Sequence, residues 1–232
     1  MASASNAAEG VRIAVLGLYN CGSTGIADML HHLGAFMGPP FWEVSDEDAE
    51  NNFYEPYTLS WHLRAWWDEP RIVERVPRDV RVDYLRQWAV LQETLAPSRP
   101  IGAKHPLLCL CAEDLLEAWG PDTRFLWSWR PLEESIAGLQ RRDWFGEDTA
   151  AVQRKLWDAL QRFDEAHPGR LVKLDWNEAK ARPDWAAEQL ASFAGIAADR
   201  GLLQLAAARL RPQAGGKGLT RRLASVARKA IG

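Results

Sequence analysis

Apolar and polar positions alternate along the chain in two recurring rhythms. Residues 11–18 (VRIAVLGL) are a short apolar run bounded by glycine, the pattern of a strand buried on both faces. It enters a tight glycine turn, YNCGSTG, and then a helical stretch over 26–33 that stops near Gly34. That order, strand then glycine loop then helix, is half of a parallel βαβ unit. Residues 79–95 read as a helix. Residues 101–104 read as a second strand, followed by a helical run over 107–119. Residues 124–129 (RFLWSW) give a third strand, leading through Pro131 into a helix that reaches Arg142. A further helix over about 150–166 ends at Pro168-Gly169; 170–175 is a fourth strand and 185–194 an amphipathic helix. Strands alternating with helices predict an α/β fold, a central parallel sheet flanked by helices. No repeat or linker divides it, so the expected organisation is a flexible N-terminus over 1–10, one P-loop-like α/β domain over 11–212, and a basic arm over 213–232, read as helical.

Composition narrows the class. With 232 residues, 47% of them hydrophobic and 25% charged, the chain suits one globular domain and not a disordered, collagen-like or coiled-coil protein. No apolar stretch approaches the roughly 20 residues of a membrane span. The first ten residues lack the basic start and apolar core of a secretion signal. Three cysteines make no disulfide framework, so a cytoplasmic location is expected. The net charge of −3 is unevenly spread, because eight Lys/Arg and no acid follow position 199, leaving 20 basic against 31 acidic residues before it. This tail either meets something anionic or folds back on the acidic body.

The stretch Gly17-Leu18-Tyr19-Asn20-Cys21-Gly22-Ser23-Thr24 has the spacing of a phosphate-binding loop. A glycine turn exposes successive N–H groups, and the following helix adds the positive end of its dipole, so the backbone itself holds an anion. ATP- and GTP-binding loops place a lysine before the last hydroxyl residue; here Ser23 stands there, and transfer from ATP is poorly supported.

A loop of this shape without that lysine resembles the sulfotransferases, in particular a bacterial group whose loop reads roughly G-M-H-R-S-G-T-S. The helix that follows, GIADMLHHLGAFMG, is similar as well. Three further segments extend the resemblance over residues 11–196. Ala103-Lys104-His105-Pro106 resembles the family's K-[DH]-P. The stretch from Trp129-Arg130-Pro131 to Phe145 resembles its second cofactor segment. The strand 171–175, followed by 189–196, resembles its closing strand and "FLG" helix. The resemblance implies that Tyr19, Asn20, Cys21, Gly22, Ser23, Thr24 and Gly25 hold the 5′-phosphosulfate of 3′-phosphoadenosine 5′-phosphosulfate (PAPS), and that Arg130 binds the 3′-phosphate. The product would be adenosine 3′,5′-bisphosphate. Lys217, in a glycine turn before the basic arm, is weakly similar to a turn that closes over the 3′-phosphate in cytosolic relatives.

The chain departs from the family at three positions. The Lys or Arg before S-G-T is Asn20, with Lys104 the nearest cation to substitute. The serine eight residues after the arginine is Gly138, and Ser135, one helical turn earlier, is expected to replace it. An adenine-stacking tryptophan of cytosolic relatives is Gly25. These departures bear on activity rather than on fold.

Sulfuryl transfer needs a base for the acceptor hydroxyl. His105 leads, because K-H-P sits at the C-terminal end of a strand, where open α/β sheets bind ligands. Glu55 is the rival, since Asn52-Phe-Tyr-Glu55 resembles the family's G-Y-x-E. Trp61, Trp66 and Trp67, at roughly helical spacing, are expected to shape the acceptor pocket, and most other tryptophans to be core. No histidine, cysteine and acid spacing suggests a metal, and Cys109-x-Cys111 reads as core. The expected function is a PAPS-dependent sulfotransferase acting on a hydroxyl of a glycan or small-molecule metabolite. The alternatives are a P-loop kinase-like enzyme with Asp175 as its acidic residue, or an inactive sulfotransferase-like binding protein. No nucleic-acid partner is expected; the basic arm would suit peripheral contact with an anionic membrane.

Overall fold

The computed structural model describes residues 10–42 and 53–210. Four parallel strands form the sheet: β1 (Arg12–Leu16), β4 (Ile101–Lys104), β5 (Arg124–Trp129) and β6 (Leu171–Asp175), in the order β4-β1-β5-β6. The small antiparallel pair β2 (Trp67–Asp68) and β3 (Val73–Glu74) stands apart from it. The continuous apolar runs of the central strands follow from burial on both faces. Along β1, Ile13 and Val15 enter one core while Ala14 and Leu16 enter the other. On β5, Phe125 and Trp127 face the same side as Leu16, and Leu126 faces that of Ile13. β6 is an edge strand, and its Val172 and Lys173 are exposed.

One face is covered by α1 (Ser23–Leu33), α8 (Pro183–Ala194) and α9 (Arg200–Ala208). The other carries α3 (Arg78–Leu95), α4 (Ala112–Trp119) and α6 (Thr149–Ala166). α2 (Tyr57–Trp66), α5 (Leu132–Gln140) and α7 (Trp176–Ala181) complete the described helices. Among the described residues no helix is long and apolar enough to cross a membrane.

The structure differs from the sequence reading at several places. The first strand ends at Leu16, and α1 begins at Ser23, three residues before the apolar rhythm does, because glycines and hydroxyls occupy its first turn. The helix read over 107–119 is a 3-10 turn over Pro106–Cys111 followed by α4, Pro106 standing at the turn's start. α2, α7, α9 and the β2–β3 pair had not been read as elements. The helical arm expected over 213–232, and all but Gly10 of the expected flexible N-terminus, lie outside the described residues.

Candidate active site

The glycine loop connects β1 to α1, and buried neighbours hold it from three sides. The N–H of Gly17 meets Cys109 Sγ at 3.2 Å. The fully buried Gln153 of α6 clasps Tyr19 on both sides of its backbone, accepting from its N–H at 3.2 Å and donating to its carbonyl at 2.8 Å. Ser128 Oγ donates to the Cys21 carbonyl at 3.0 Å. Gly22 then turns into the helix at φ +90°, and a Cβ there would lie 2.0 Å from the Trp176 ring. Only glycine fits, for conformation and for space. No side chain caps α1 and no acid sits in its first turn. Its first N–H groups therefore have no intrahelical acceptor and carry the positive end of the helix dipole.

A buried ionic cluster stands beside that helix start. Lys104, the last residue of β4, places Nζ 2.7 Å from Glu55 Oε1 and 3.2 Å from Thr24 Oγ1 of α1. His105 follows, and its Nε2 lies 3.6 Å from Glu55 Oε2 without a hydrogen-bond partner. Its Nδ1 accepts the N–H of Leu107 at 3.1 Å. Lys104, Glu55 and His105 are 3%, 7% and 1% exposed. Burial opposes ionisation of Glu55, but the Lys104 ammonium, then His105, hold its carboxyl below the ordinary carboxylate range. Burial pushes the His105 imidazole down to about 4, against the pull of Glu55. At neutral pH the ring is therefore uncharged; with Nδ1 occupied as an acceptor, its proton sits on Nε2, facing Glu55.

Sequence reasoning had brought forward Lys104, His105, Glu55 and Thr24, and the fold gathers all four. It had missed two groups that complete the cluster. Glu69 accepts the Tyr19 hydroxyl, and burial raises the pKa of both groups. Arg64 of α2 lies close enough to lower the pKa of Glu55 and of His105. Neither lies in a motif; the folding of α2 against the loop brings them in.

Arg130, at the end of β5, reaches the loop: its Nη1 donates to the Asn20 carbonyl at 3.2 Å, and its Nε pairs with Glu134 at 3.0 Å. Ser135 is fully buried with an unpartnered hydroxyl. The space over Gly138 is filled instead by Asn20, whose Nδ2 lies 2.0 Å from where a Cβ on Gly138 would stand. At Gly25 an added Cβ would meet Leu210 at 2.8 Å and the Trp176 ring at 2.9 Å. An indole thus occupies this region, supplied by the start of α7 rather than by α1. Lys217 lies outside the described residues.

Two expectations need correction. Trp66, at the end of α2, and Trp67, at the start of β2, are buried in the core, Trp67 also lining a hollow with Ile72 and Leu110; of the three tryptophans read as pocket-shaping, Trp61 alone is well exposed, at 61%. Asp175 caps α7, accepting the N–H groups of Asn177 at 2.7 Å and Glu178 at 3.1 Å, so its carboxylate is already engaged. Cys21, Cys109 and Cys111 are buried free thiols. Among the described residues, no group of three or more His, Cys, Asp or Glu is placed to hold a metal. Hollows of about 270 and 430 Å³ lie elsewhere and include neither the loop nor the Glu55 cluster.

No family model matches the chain, and no curated protein does. Solved structures do. The sulfotransferase STF1 of Mycobacterium tuberculosis H37Rv superimposes with a TM-score of 0.53 at 16% identity, over 96% of this chain and 77% of that one. STF9 of Mycobacterium avium gives 0.55 at 17% identity, over 87% and 67%. The sulfotransferase domain of the Synechococcus PCC 7002 olefin synthase gives 0.52 at 13% identity, over 97% and 96%. With its four-stranded parallel sheet and the glycine loop at the end of β1, the chain has the sulfotransferase fold.

Proposed function

We propose that this protein is a PAPS-dependent sulfotransferase that sulfates a hydroxyl of a glycan or small-molecule metabolite. The observation that carries this reading is the buried Glu55–Lys104–His105 cluster held 3.2 Å from Thr24, at the start of the helix that follows the glycine loop. A donor with two anionic groups fits the residues present: the uncapped N-terminus of α1 suits one, and Arg130 beside the loop suits the other. PAPS, when bound, supplies the sulfuryl group. The partly exposed Trp176, lying over Gly22 and Gly25, is the candidate face for its adenine.

Within this reading Glu55, not His105, is the base. The Leu107 N–H occupies Nδ1 of His105, which leaves Nε2 protonated and unable to accept a proton from an acceptor hydroxyl. His105 flanks Glu55, its Nε2 3.6 Å from Oε2, beyond hydrogen-bond distance. Lys104 holds the other oxygen and Thr24 together, and it supplies the cation that the loop lacks at Asn20. Lys217, seven residues along the chain from Leu210, is a further candidate for the 3′-phosphate.

The test is release of adenosine 3′,5′-bisphosphate from PAPS in the presence of a panel of glycan and small-molecule hydroxyl acceptors. Acceptor-dependent release that collapses in Glu55→Gln supports the proposal. Nucleotide binding without release from any acceptor, unrestored by Asn20→Arg, would replace it with an inactive binding protein. Magnesium-dependent ATP turnover would favour the kinase reading, which the engaged Asp175 weakens.

A further inference from the structure

Glu55 lies in neither a helix nor a strand, yet its carboxylate stands 2.7 Å from Lys104 Nζ. Its backbone is tied on one side, where its carbonyl accepts the Trp42 N–H at 2.8 Å and the next residue, Pro56, pairs with Phe41. The residue before it, Tyr54, adopts φ +52°, a left-handed conformation that a bulky side chain keeps only where its surroundings hold it. From this turn the two side chains part. Glu55 goes to Lys104, and Tyr54 goes to α1, where its hydroxyl donates to Asp28 Oδ1 at 2.7 Å. The Tyr54 ring is buried against Phe41 and His31, with centroids 5.0 and 5.4 Å away. Burial, then the bond to Asp28, raises the pKa of its phenol, so it remains a donor.

Asp28 is the junction of this network. Its carboxylate also accepts Arg209 Nε, just past the end of α9, at 2.9 and 3.1 Å, and His32 Nδ1 lies 2.9 Å from Oδ1. Asp28 follows Thr24 by four residues, so the two share a face of α1. That helix therefore reaches Glu55 twice, through Thr24 and Lys104 to its carboxylate and through Asp28 and Tyr54 to its backbone.

We propose that Asp28 and Tyr54 are positioning residues for Glu55. The hydrogen bond between them fixes the turn at Tyr54 and with it the place of the Glu55 carboxylate, while Arg209 holds the Asp28 carboxylate in the orientation that accepts it. A base carried on irregular backbone needs such an anchor, because a misplacement of about 1 Å costs on the order of 10²-fold in rate. This inference rests on the reading of Glu55 as the base and adds what sets its place against the helix that starts at the glycine loop.

Turnover of PAPS with the acceptor panel, together with calorimetric binding of adenosine 3′,5′-bisphosphate, tests it on the full chain. Tyr54→Phe, which removes only the hydroxyl, and Asp28→Ala each lower kcat by about tenfold or more, while KM for PAPS and bisphosphate affinity change by less than about twofold. Asp28→Asn, whose amide oxygen still accepts the Tyr54 hydroxyl, recovers most of that loss. In a Glu55→Gln background Tyr54→Phe lowers kcat by less than about twofold further, because a residue that acts through Glu55 has nothing left to position. A further loss of about tenfold in that background, an equal fall in bisphosphate affinity, or native kcat in both Tyr54→Phe and Asp28→Ala overturns the inference and leaves the transferase reading in place. A native protein that turns over no PAPS with any acceptor overturns both.

Discussion

Acidification separates His105 from the other titrating groups of the cluster. Its imidazole is pushed from the ordinary 6.5 to about 4 by burial, while the unfolded chain protonates it normally. Between those values the unfolded state binds more protons than the folded one, so the folding free energy falls as the pH falls. At 1.36 kcal/mol per unit, His105 contributes roughly 3 kcal/mol, fully present above pH 6.5 and mostly lost by pH 4.5. Glu55 acts in a lower window: its carboxyl is held below the ordinary value, so its contribution is present above about 4.5 and lost beneath it. Glu69 works in the opposite sense, since its raised pKa favours the folded state as the pH falls toward and below its own titration. Urea unfolding of the native protein and of His105→Gln at pH 7.5, 6.5, 5.5 and 4.5 isolates the histidine. The native protein is expected to lose about 2.5 kcal/mol more than the variant over that range. Equal losses would refute the assignment of a buried neutral imidazole, and with it the argument that places the proton on Nε2.

The remaining predictions concern chemistry, packing and the loop. Glu55→Gln should lower kcat by about 10²-fold or more with little change in nucleotide affinity, and His105→Gln by less; a larger loss for His105→Gln would exchange their roles. Asp114→Ala removes the 2.7 Å partner of the buried Arg81 guanidinium and should cost about 3 kcal/mol in denaturant unfolding, since the remaining acid, Glu74, is half exposed. Gly22→Ala forces a left-handed alanine against the Trp176 ring and should abolish nucleotide binding; Trp176→Ala in the same chain should relieve the clash but not the backbone cost of about 1–2 kcal/mol, as circular dichroism melts would record.

The strands were legible because the sheet is covered on both faces: Ile13, Val15, Phe125 and Trp127 read as unbroken apolar runs that nothing but a buried parallel sheet explains. The loop was legible from glycine spacing, and Lys104 and His105 from their place at the end of β4. α2 was less so, since the spacing of Trp61, Trp66 and Trp67 reads as a pocket wall, whereas Trp66 and Trp67 are buried in the core. Arg64 and Glu69 carry no local signal, because each matters only through the packing of α2 and the hairpin on Tyr19 and Glu55. Asn20 and Gly138 looked like two separate losses along the chain. Contact between residues 118 positions apart makes them one feature, and sequence order cannot express that. Ser135 and Gly138 both lie on the face that α5 buries, and the Ser135 hydroxyl has no partner there.

The central claim, a donor site for a nucleoside bisphosphate, is met most directly by a thermal-shift titration with adenosine 3′,5′-bisphosphate, with ATP–magnesium in parallel. At about a hundredfold excess over the dissociation constant the bisphosphate stabilises the folded state by about 2.7 kcal/mol. For a domain of this size that raises Tm by roughly 5–10 °C, while ATP–magnesium leaves it unchanged. A rise with ATP–magnesium alone, or with neither ligand, would contradict the account.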